Sequence, residues 1–592
     1  MKKFRCSVCG HIHVGDEAPE HCPVCNSPKE KFILIENEEE ATISNNIELK
    51  PQYFDVVIVG SGAAALSAAI TAGSNGLNVI VLEKGMSVGG TSARSGGRYW
   101  IPNNKFQKEV GIIDDKKTCL EYMARCAFPT RYDDSKEKYN LPEKSYNLLE
   151  AYYDNATKMI DFMEQEQVLE SVMDYSWKKQ PQVDYLNHLP ENKGIRGRTL
   201  YPKTEDGVAA SGSALIKLLH NAIEKRNIDI ITKCQVIDIL KNDSNEVIGV
   251  EALNNGSKQL FYAKKGVIFG SGGFSHNEDL MRRFQAGHNY GGCAVPENKG
   301  DLVKIAEKHG IKLGNMNNAF RAQSMIDMYF DNPDGSSNLF YIIGDSVLQV
   351  NKYGKRVMNE KRNYNDRTMK HFVWDENNAQ WPNLLMFMIF DSRTATYWQG
   401  FPPMPVGDIK KAKHIITGSD LEDLTINIEK YLDTRKDELA NFKLDMKFSM
   451  NLEDTIKKFN YYAKTGVDED FGRGMTDYDQ EYTTFPPTIP DVEWPPKDSK
   501  NITMYPLSKN GPYYAIVLGG GTLDTNGGPI INEHAQMLDY DDKPVEGLYG
   551  AGNCISSPGR QAYWGAGSTL GPGMTFGYLA ALHAFKSKDK EI

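Results

Sequence analysis

The stretch from Phe54 to Glu83 constrains this chain more than any other part of it. It begins with Asp55-Val-Val-Ile-Val-Gly60, a short β-branched run of the kind that forms a buried parallel strand. Gly60-x-Gly62-x-x-Ala65 follows, then an alanine-rich segment that predicts a helix to about Gly76, a second strand at Val79-Ile-Val-Leu82, and Glu83 at its end. A lone glycine motif says little, but strand, glycine turn, helix, strand and an acid about 20 residues on form a whole dinucleotide-binding unit. Gly60 makes the turn, and Gly62 lets a pyrophosphate approach the helix N-terminus with its partial positive charge. Ala65 permits close packing of helix on strand, and Glu83 can accept from ribose hydroxyls.

FAD and NAD share this unit, so the next segment must separate them. Glu83-Lys84-Gly85 leads into Gly89-Gly90-Thr91-Ser92-Ala93-Arg94-Ser95-Gly96-Gly97, a glycine and hydroxyl loop able to wrap a second phosphate edge and bring backbone against a flat ring. That favours a flavin, with Lys84, Gly90, Thr91, Ser92, Gly96 and Gly97 as candidate contacts. Two later stretches agree. Lys265-Gly-Val-Ile-Phe-Gly-Ser-Gly272-Gly-Phe274 is a strand ending in a glycine turn, and Gly547-Leu-Tyr-Gly-Ala-Gly552-Asn553 is another. A chain that returns to one cofactor from three distant stretches predicts a single split FAD domain.

Nine cysteines are unevenly spread. Cys119, Cys126, Cys234, Cys293 and Cys554 are scattered and expected as small buried residues. Cys6, Cys9, Cys22 and Cys25 form two Cys-x-x-Cys pairs, which in a reducing compartment read as a tetrahedral four-cysteine metal site. Each pair predicts a tight knuckle, with Gly10 and Asn26 after the pairs supplying residue types that take the left-handed conformation. The spacing alone accepts redox iron or structural zinc. Residues 37–52 are polar with an acidic run and no apolar period, so they read as a linker.

Length and charge narrow the function. With 592 residues the chain has room for about four domain-sized units or one large cofactor-binding unit. A formal charge of -10 gives no basic field for nucleic acid. No apolar run approaches the roughly 20 residues that span a bilayer, so transmembrane anchoring is not expected. A cysteine pair stands where a signal peptide would have its apolar stretch, and the expected home is the cytoplasm.

Residues 1–36 resemble the rubredoxin-like domain attached to rubrerythrins, through Cys6-x-x-Cys9-Gly10, the Gly15-Asp-Glu-Ala-Pro19 loop and Cys22-Pro-x-Cys25. The resemblance leans the metal towards one iron, with zinc as the alternative. Residues 54–592 resemble the fumarate reductase and succinate dehydrogenase flavoprotein superfamily, and within it the 3-ketosteroid dehydrogenases. The matching blocks are Gly89-Gly-Thr-Ser-x-x-Ser-Gly-Gly97 with Trp100-Ile-Pro-Asn-Asn104, and Tyr563-Trp-Gly-Ala-Gly567-Ser-Thr-Leu-Gly-Pro-Gly-Met-Thr-Phe-Gly577. The resemblance implies an α/β architecture: a Rossmann-type FAD-binding domain (53–279 and 491–592) interrupted by an α+β catalytic domain (280–490), behind the N-terminal module.

It also implies roles. Val236 matches the position whose backbone meets the adenine, and Leu570-Gly571 begins a helix whose N-terminus favours negative charge on a reduced flavin. Tyr563 and the Gly567 N–H match the pair that binds a ketone oxygen. Tyr364 matches the tyrosine that exchanges a proton with the carbon next to the ketone, and Tyr185 resembles its supporting tyrosine. Trp564 and Asn363 stand where that family usually has Pro.

Chemically, hydride exchange between a flavin and a carbon–carbon bond needs a neighbouring carbonyl whose oxygen is polarised, because the path is enolate-like. The expected activity is reduction of a 3-ketosteroid 1-ene or 4-ene, or the reverse dehydrogenation. A fused one-electron carrier leans the direction to reduction, with a small redox protein as donor or acceptor. Two rivals remain: a fumarate or 2-enoate reductase, which would need an arginine proton donor and arginine or histidine carboxylate clamps in the 280–490 region, where Arg356, Arg362, Arg367 and Arg393 are available, and an electron-transfer flavoprotein without its own substrate.

Overall fold

The computed structural model describes residues 2–7, 11–23, 27–35, 50–204 and 211–592. Cys9, Gly10, Cys25, Asn26 and nearly all of the 37–52 linker lie outside the described residues.

The β-branched run forms the strand Gln52–Val59, with Val56, Val57 and Ile58 fully buried. It pairs in parallel with Val79–Leu82 on one side and with Ser257–Phe269 on the other. Asp229–Ile231 extends the first edge, and Pro544–Gly550 pairs in parallel with Val267–Phe269. The first half of Ser257–Phe269 instead runs antiparallel to Val247–Asn254, which pairs with Cys234–Lys241, and Gln536–Leu538, antiparallel to Pro544–Gly550, completes an eight-stranded sheet. Such a sheet is buried on both faces, which explains strands without polar alternation.

The helix Ala63–Ser74 covers one face, and the last helix, Leu570–Lys586, lies against it, with Ser67 Oγ donating to Met574 O at 2.9 Å. Close approach also explains the fingerprint glycine. Gly60 has φ +99°, and a Cβ there would fall 2.6 Å from Gly270 O. Gly270 in turn packs on Ala65, so the first and second glycine turns are in contact.

A second sheet of six strands runs Asn338–Leu339, Ala319–Met325, Tyr513–Thr525, Leu385–Asp391 and Val347–Val350, with Ile416–Gly418 also paired to Tyr513–Thr525. The apolar run at 385–390 is wholly buried in it. This sheet corrects the boundary expected at 490. The strand Tyr513–Thr525 is one of its central members, so the second unit continues to about Thr525. The proline-rich stretch at 486–496 precedes a strand that returns to the same sheet.

At the N-terminus, Lys2–Cys6 lies between Ile12–Gly15 and Phe32–Ile35 in an antiparallel sheet. Cys6 N donates to His11 O at 2.8 Å and Cys22 N to Ser27 O at 2.7 Å. Both turns thus close over the same spacing, the first residue of each Cys-x-x-Cys bonded five residues on. Among the described residues, no helix is long and apolar enough to cross a membrane.

Candidate active site

The three glycine returns converge on one cavity of about 1400 Å³, part of it open to solvent. Of the expected contacts, Gly60, Gly62, Glu83, Lys84, Gly90, Thr91, Ser92, Gly96, Val236, Gly272, Gly552, Asn553 and Leu570 line it. Ala65, Gly97 and Gly571 do not. Ala65 packs behind Gly270, and Gly571 N donates to Gly567 O at 2.9 Å behind the wall.

Glu83 is buried, its oxygens accepting from Ser61 Oγ at 2.5 Å and Gly85 N at 2.6 Å. Burial raises its pKa, and those two donors oppose the rise. Lys84 Nζ is engaged by Asp301 at 2.7 Å. The helix N-termini at Gly62 and Thr569 open beside the cavity. An elongated dinucleotide fits this surface: bare backbone for phosphates, an acid for a ribose, and a cavity continuous from Glu83 to Tyr563.

The sequence did not single out the acid that ties this wall together. Asp524 ends the strand Tyr513–Thr525 and accepts from Gly273 N (2.9 Å), Ser275 Oγ (2.7 Å), Asn298 Nδ2 (2.7 Å) and Asn553 Nδ2 (3.3 Å). It therefore joins the second glycine turn to the third. Its only sequence signal is an acid closing the run Gly519-Gly-Gly-Thr-Leu-Asp524.

At the other end of the cavity Tyr364 and Tyr563 line the wall with Phe340, Cys293 and Leu523. Asn363 replaces the usual proline by capping a short helix, Tyr364–Thr368, through a bond from Asp366 N at 2.9 Å, which fixes Tyr364 at its first turn. Tyr185 stands just behind. Its hydroxyl donates to Tyr364 Oη at 2.8 Å, and its ring stacks on that of Tyr563 with centroids 5.1 Å apart. Tyr364 and Tyr563 meet edge to face at 5.4 Å. Tyr482, another residue missed from sequence, has its oxygen 3.3 Å from that of Tyr185.

Tyr185 is held from below. Its backbone N donates to Trp564 O, and the neighbouring Asp184 is bound by Arg198 and by Trp100 Nε1 at 2.7 Å. Trp564 itself is buried against Trp100 and Tyr152 and does not line the cavity, so the departure from proline is absorbed by the core.

Gly567 takes φ +92°, and a Cβ there would lie 2.4 Å from Tyr99 Cα. Its carbonyl accepts from Trp100 N and Gly571 N, whereas among the described residues its own N–H has no acceptor. Burial pushes the phenols of Tyr364 and Tyr185 well above their usual range and that of Tyr563 up to about 12. All three are protonated at neutral pH.

The four arginines available to an enoate reductase are occupied elsewhere. Arg356 pairs with Glu360 and Asp468, and Arg393 with Asp345. Arg362 lies 3.6 Å from Asp479, and Arg367 bonds Gln323 and backbone carbonyls. None of them lines the cavity.

A split parallel sheet whose glycine turns converge on one elongated cavity defines a flavoprotein of the Rossmann type. The chain matches the FAD binding domain family over residues 55–570 and belongs to it. Residues 4–33 match the rubrerythrin, rubredoxin-like domain. The 4-oxocyclohexanecarboxylate 2-dehydrogenase of Sinomonas cyclohexanicum is 31% identical, over 89% of this chain and 92% of that one. The 3-oxosteroid 1-dehydrogenase of Mycolicibacterium smegmatis is 28% identical, over 90% and 97%. The crystal structure of the 3-ketosteroid delta1-dehydrogenase of Sterolibacterium denitrificans with 1,4-androstadiene-3,17-dione aligns with a TM-score of 0.75 at 25% identity, covering 91% of this chain and all of that one.

Proposed function

We propose that this chain is an FAD-dependent oxidoreductase acting on the carbon–carbon bond next to a ring ketone, with a 3-ketosteroid 1-ene or 4-ene as substrate. It works in the direction of saturation, fed through the rubredoxin-like module by a small redox protein. The observation that carries this reading is the edge-to-face pair of Tyr563 and Tyr364 on the cavity wall opposite Glu83; Gly567, whose N–H has no acceptor among the described residues, does not itself line the cavity. FAD held along Gly60, Gly62, Glu83, Ser92 and the helix N-terminus at Thr569 would supply hydride chemistry at the carbon beyond the one next to the ketone.

The chain's own residues supply the rest. Tyr563 O–H and Gly567 N–H donate to the ketone oxygen, where negative charge develops. Tyr364 O–H moves the proton at the carbon next to the ketone, and Tyr185 holds the Tyr364 oxygen in place by donating to it. Burial keeps Tyr364 protonated at neutral pH, the state consumed by saturation. The aromatic cluster of Phe320, Tyr185, Tyr364, Tyr478 and Tyr482 excludes water around these groups.

On this reading the catalytic unit spans about 280–525 and interrupts an FAD unit of 53–279 and the residues after 525. Cys6, Cys9, Cys22 and Cys25 hold one iron. Cys6 and Cys22 are both buried at equivalent places in their turns, and a four-thiolate set suits a tetrahedral ion. Reduced thiols fit a cytoplasmic home. Anaerobic incubation of the purified, reduced protein with 1-ene and 4-ene ketosteroids and with fumarate tests the reading. Flavin colour should return with a ketosteroid and not with fumarate, and the opposite result overturns it.

A further inference from the structure

We propose that the rubredoxin-like module is docked on the outer side of the flavin-cavity wall through Lys3, Arg5 and Ile12, which flank its first cysteine pair, and that electrons enter the module from a soluble one-electron carrier on its opposite side and pass inward to the flavin. This rests on the reading of the chain as a flavin oxidoreductase fed through the module. The contacts are specific. Arg5 Nη1, beside Cys6, donates to Glu297 Oε1 at 2.8 Å, with the two side chains 10% and 23% exposed. Asn332 Nδ2 donates to Ile12 O at 2.5 Å, and Lys3 Nζ lies 3.7 Å from Asp334. Glu297 and Arg94 both line the cavity, and Arg94 donates to the carbonyls of Ala294 and Asp334 at 3.0 Å each. The surface that touches the module is therefore the outer side of the cavity wall.

The two knuckles differ in what surrounds them. Arg5, His11 and Ile12 beside the first pair are buried, whereas Glu20 and His21 beside the second are exposed; within the pairs Cys6 and Cys22 are both buried and Ser7 and Pro23 both exposed. A guanidinium gives up its hydration where other acceptors replace the water, and Glu297 supplies a charged one for Arg5. Docking turns a bimolecular encounter into an intramolecular one at an effective concentration on the order of millimolar. The electrons balance. Each carrier loses one electron, the metal cycles between adjacent oxidation states, and two such transfers with two protons saturate one carbon–carbon double bond.

The test uses the iron-loaded full chain as wild type, Arg5→Glu, Asn332→Asp and the conservative Arg5→Lys. Stopped-flow bleaching of the flavin by reduced methyl viologen and hydrogen exchange in strands Lys2–Cys6 and Ile12–Gly15 are both read. We expect bleaching to slow at least about tenfold and exchange to speed up in Arg5→Glu and Asn332→Asp, and both to stay within about twofold of wild type in Arg5→Lys, which keeps the charge that pairs with Glu297. Asn332 belongs to the body, so its effect does not arise from an unfolded module. Bleaching by a saturated 3-ketosteroid enters through the cavity and should be the same in Arg5→Glu as in wild type. If that bleaching is absent from the wild type, the proposed reaction is wrong and the exchange data alone judge the docking. Equal viologen rates and equal exchange in all four proteins would overturn the docked route.

Discussion

Tyr185 donates its hydroxyl hydrogen to the oxygen of Tyr364 across 2.8 Å, although 179 positions separate them in the chain. A phenol that accepts in this way keeps its own hydrogen to give. The pair therefore divides labour, with Tyr364 on the cavity wall and Tyr185 behind it.

We expect Tyr364→Phe to lower turnover on the order of 10² to 10⁴ while leaving ketone binding nearly intact. Tyr185→Phe should cost less, because it removes only the hydrogen bond that orients Tyr364. Hydrogen exchange between solvent and the carbon next to the ketone, followed by NMR, should vanish in the first variant and persist at a reduced rate in the second. Near-normal turnover of Tyr364→Phe would sink the assignment of the proton-transfer group.

Removing a donor to the ketone oxygen should look different. Tyr563→Phe is expected to lower turnover on the order of 10² to 10³ and also to weaken ketone binding, since one of two donors is lost. Titration of the flavin spectrum with a ketone ligand reads the second effect. Unchanged affinity together with unchanged turnover would remove Tyr563 from the site.

The cofactor should be non-covalent FAD, held by backbone and by Glu83. Heating should release a yellow nucleotide that chromatographs as FAD, and Gly60→Ala should yield largely colourless protein, because its Cβ would meet Gly270 O at 2.6 Å. Retention of the flavin by denatured chain, or release of FMN, would contradict this.

The module should hold about one iron per chain. Cys22→Ser should lose it and keep FAD, as measured by metal analysis and visible spectra. Zinc in the native protein, with no dithionite-sensitive colour, would leave the module a structural role only.

Acid stability follows from Glu360. Burial disfavours its charge, but Arg356 and Arg473 outweigh burial and lower its pKa to about 2. A carboxyl depressed in the folded state stabilises it above the unfolded value of 4.5, and that stabilisation is lost as pH falls from 4.5 towards 2. The full contribution is about 3 kcal/mol. The urea midpoint should drop across this window in wild type, and Glu360→Gln should lower the midpoint at pH 7 and flatten its fall below pH 4.5. A wild-type midpoint that does not change over this range would contradict the assignment.

What could be read from the sequence was what local periodicity and close approach encode. The strand before Gly60, the helix after Gly62 and the strand ending at Leu82 all formed where the pattern placed them, because their signals lie within 30 residues. Tyr364 and Tyr563 were legible only through the blocks that resemble known dehydrogenases. Asp524 was not legible, since its role comes from partners at Gly273, Asn298 and Asn553 that only the fold brings together. Tyr482 was hidden for the same reason. The boundary near 490 came from the resemblance alone, and the pairing of Tyr513–Thr525 with strands at 319–325 and 385–391 is a long-range contact with no local signal.

The central claim is that Tyr364 protonates the carbon next to a ring ketone while a hydride reaches the next one. Its most direct measurement is a single turnover in D₂O, mixing anaerobically reduced protein with a 3-keto-1-ene steroid and locating deuterium in the product by NMR. The account predicts reoxidation of the flavin with one deuteron on a single face of the carbon adjacent to the ketone, and no such label with Tyr364→Phe. Failure of every 3-keto-ene steroid to reoxidise the flavin, or the same label at the same rate from Tyr364→Phe, would contradict it.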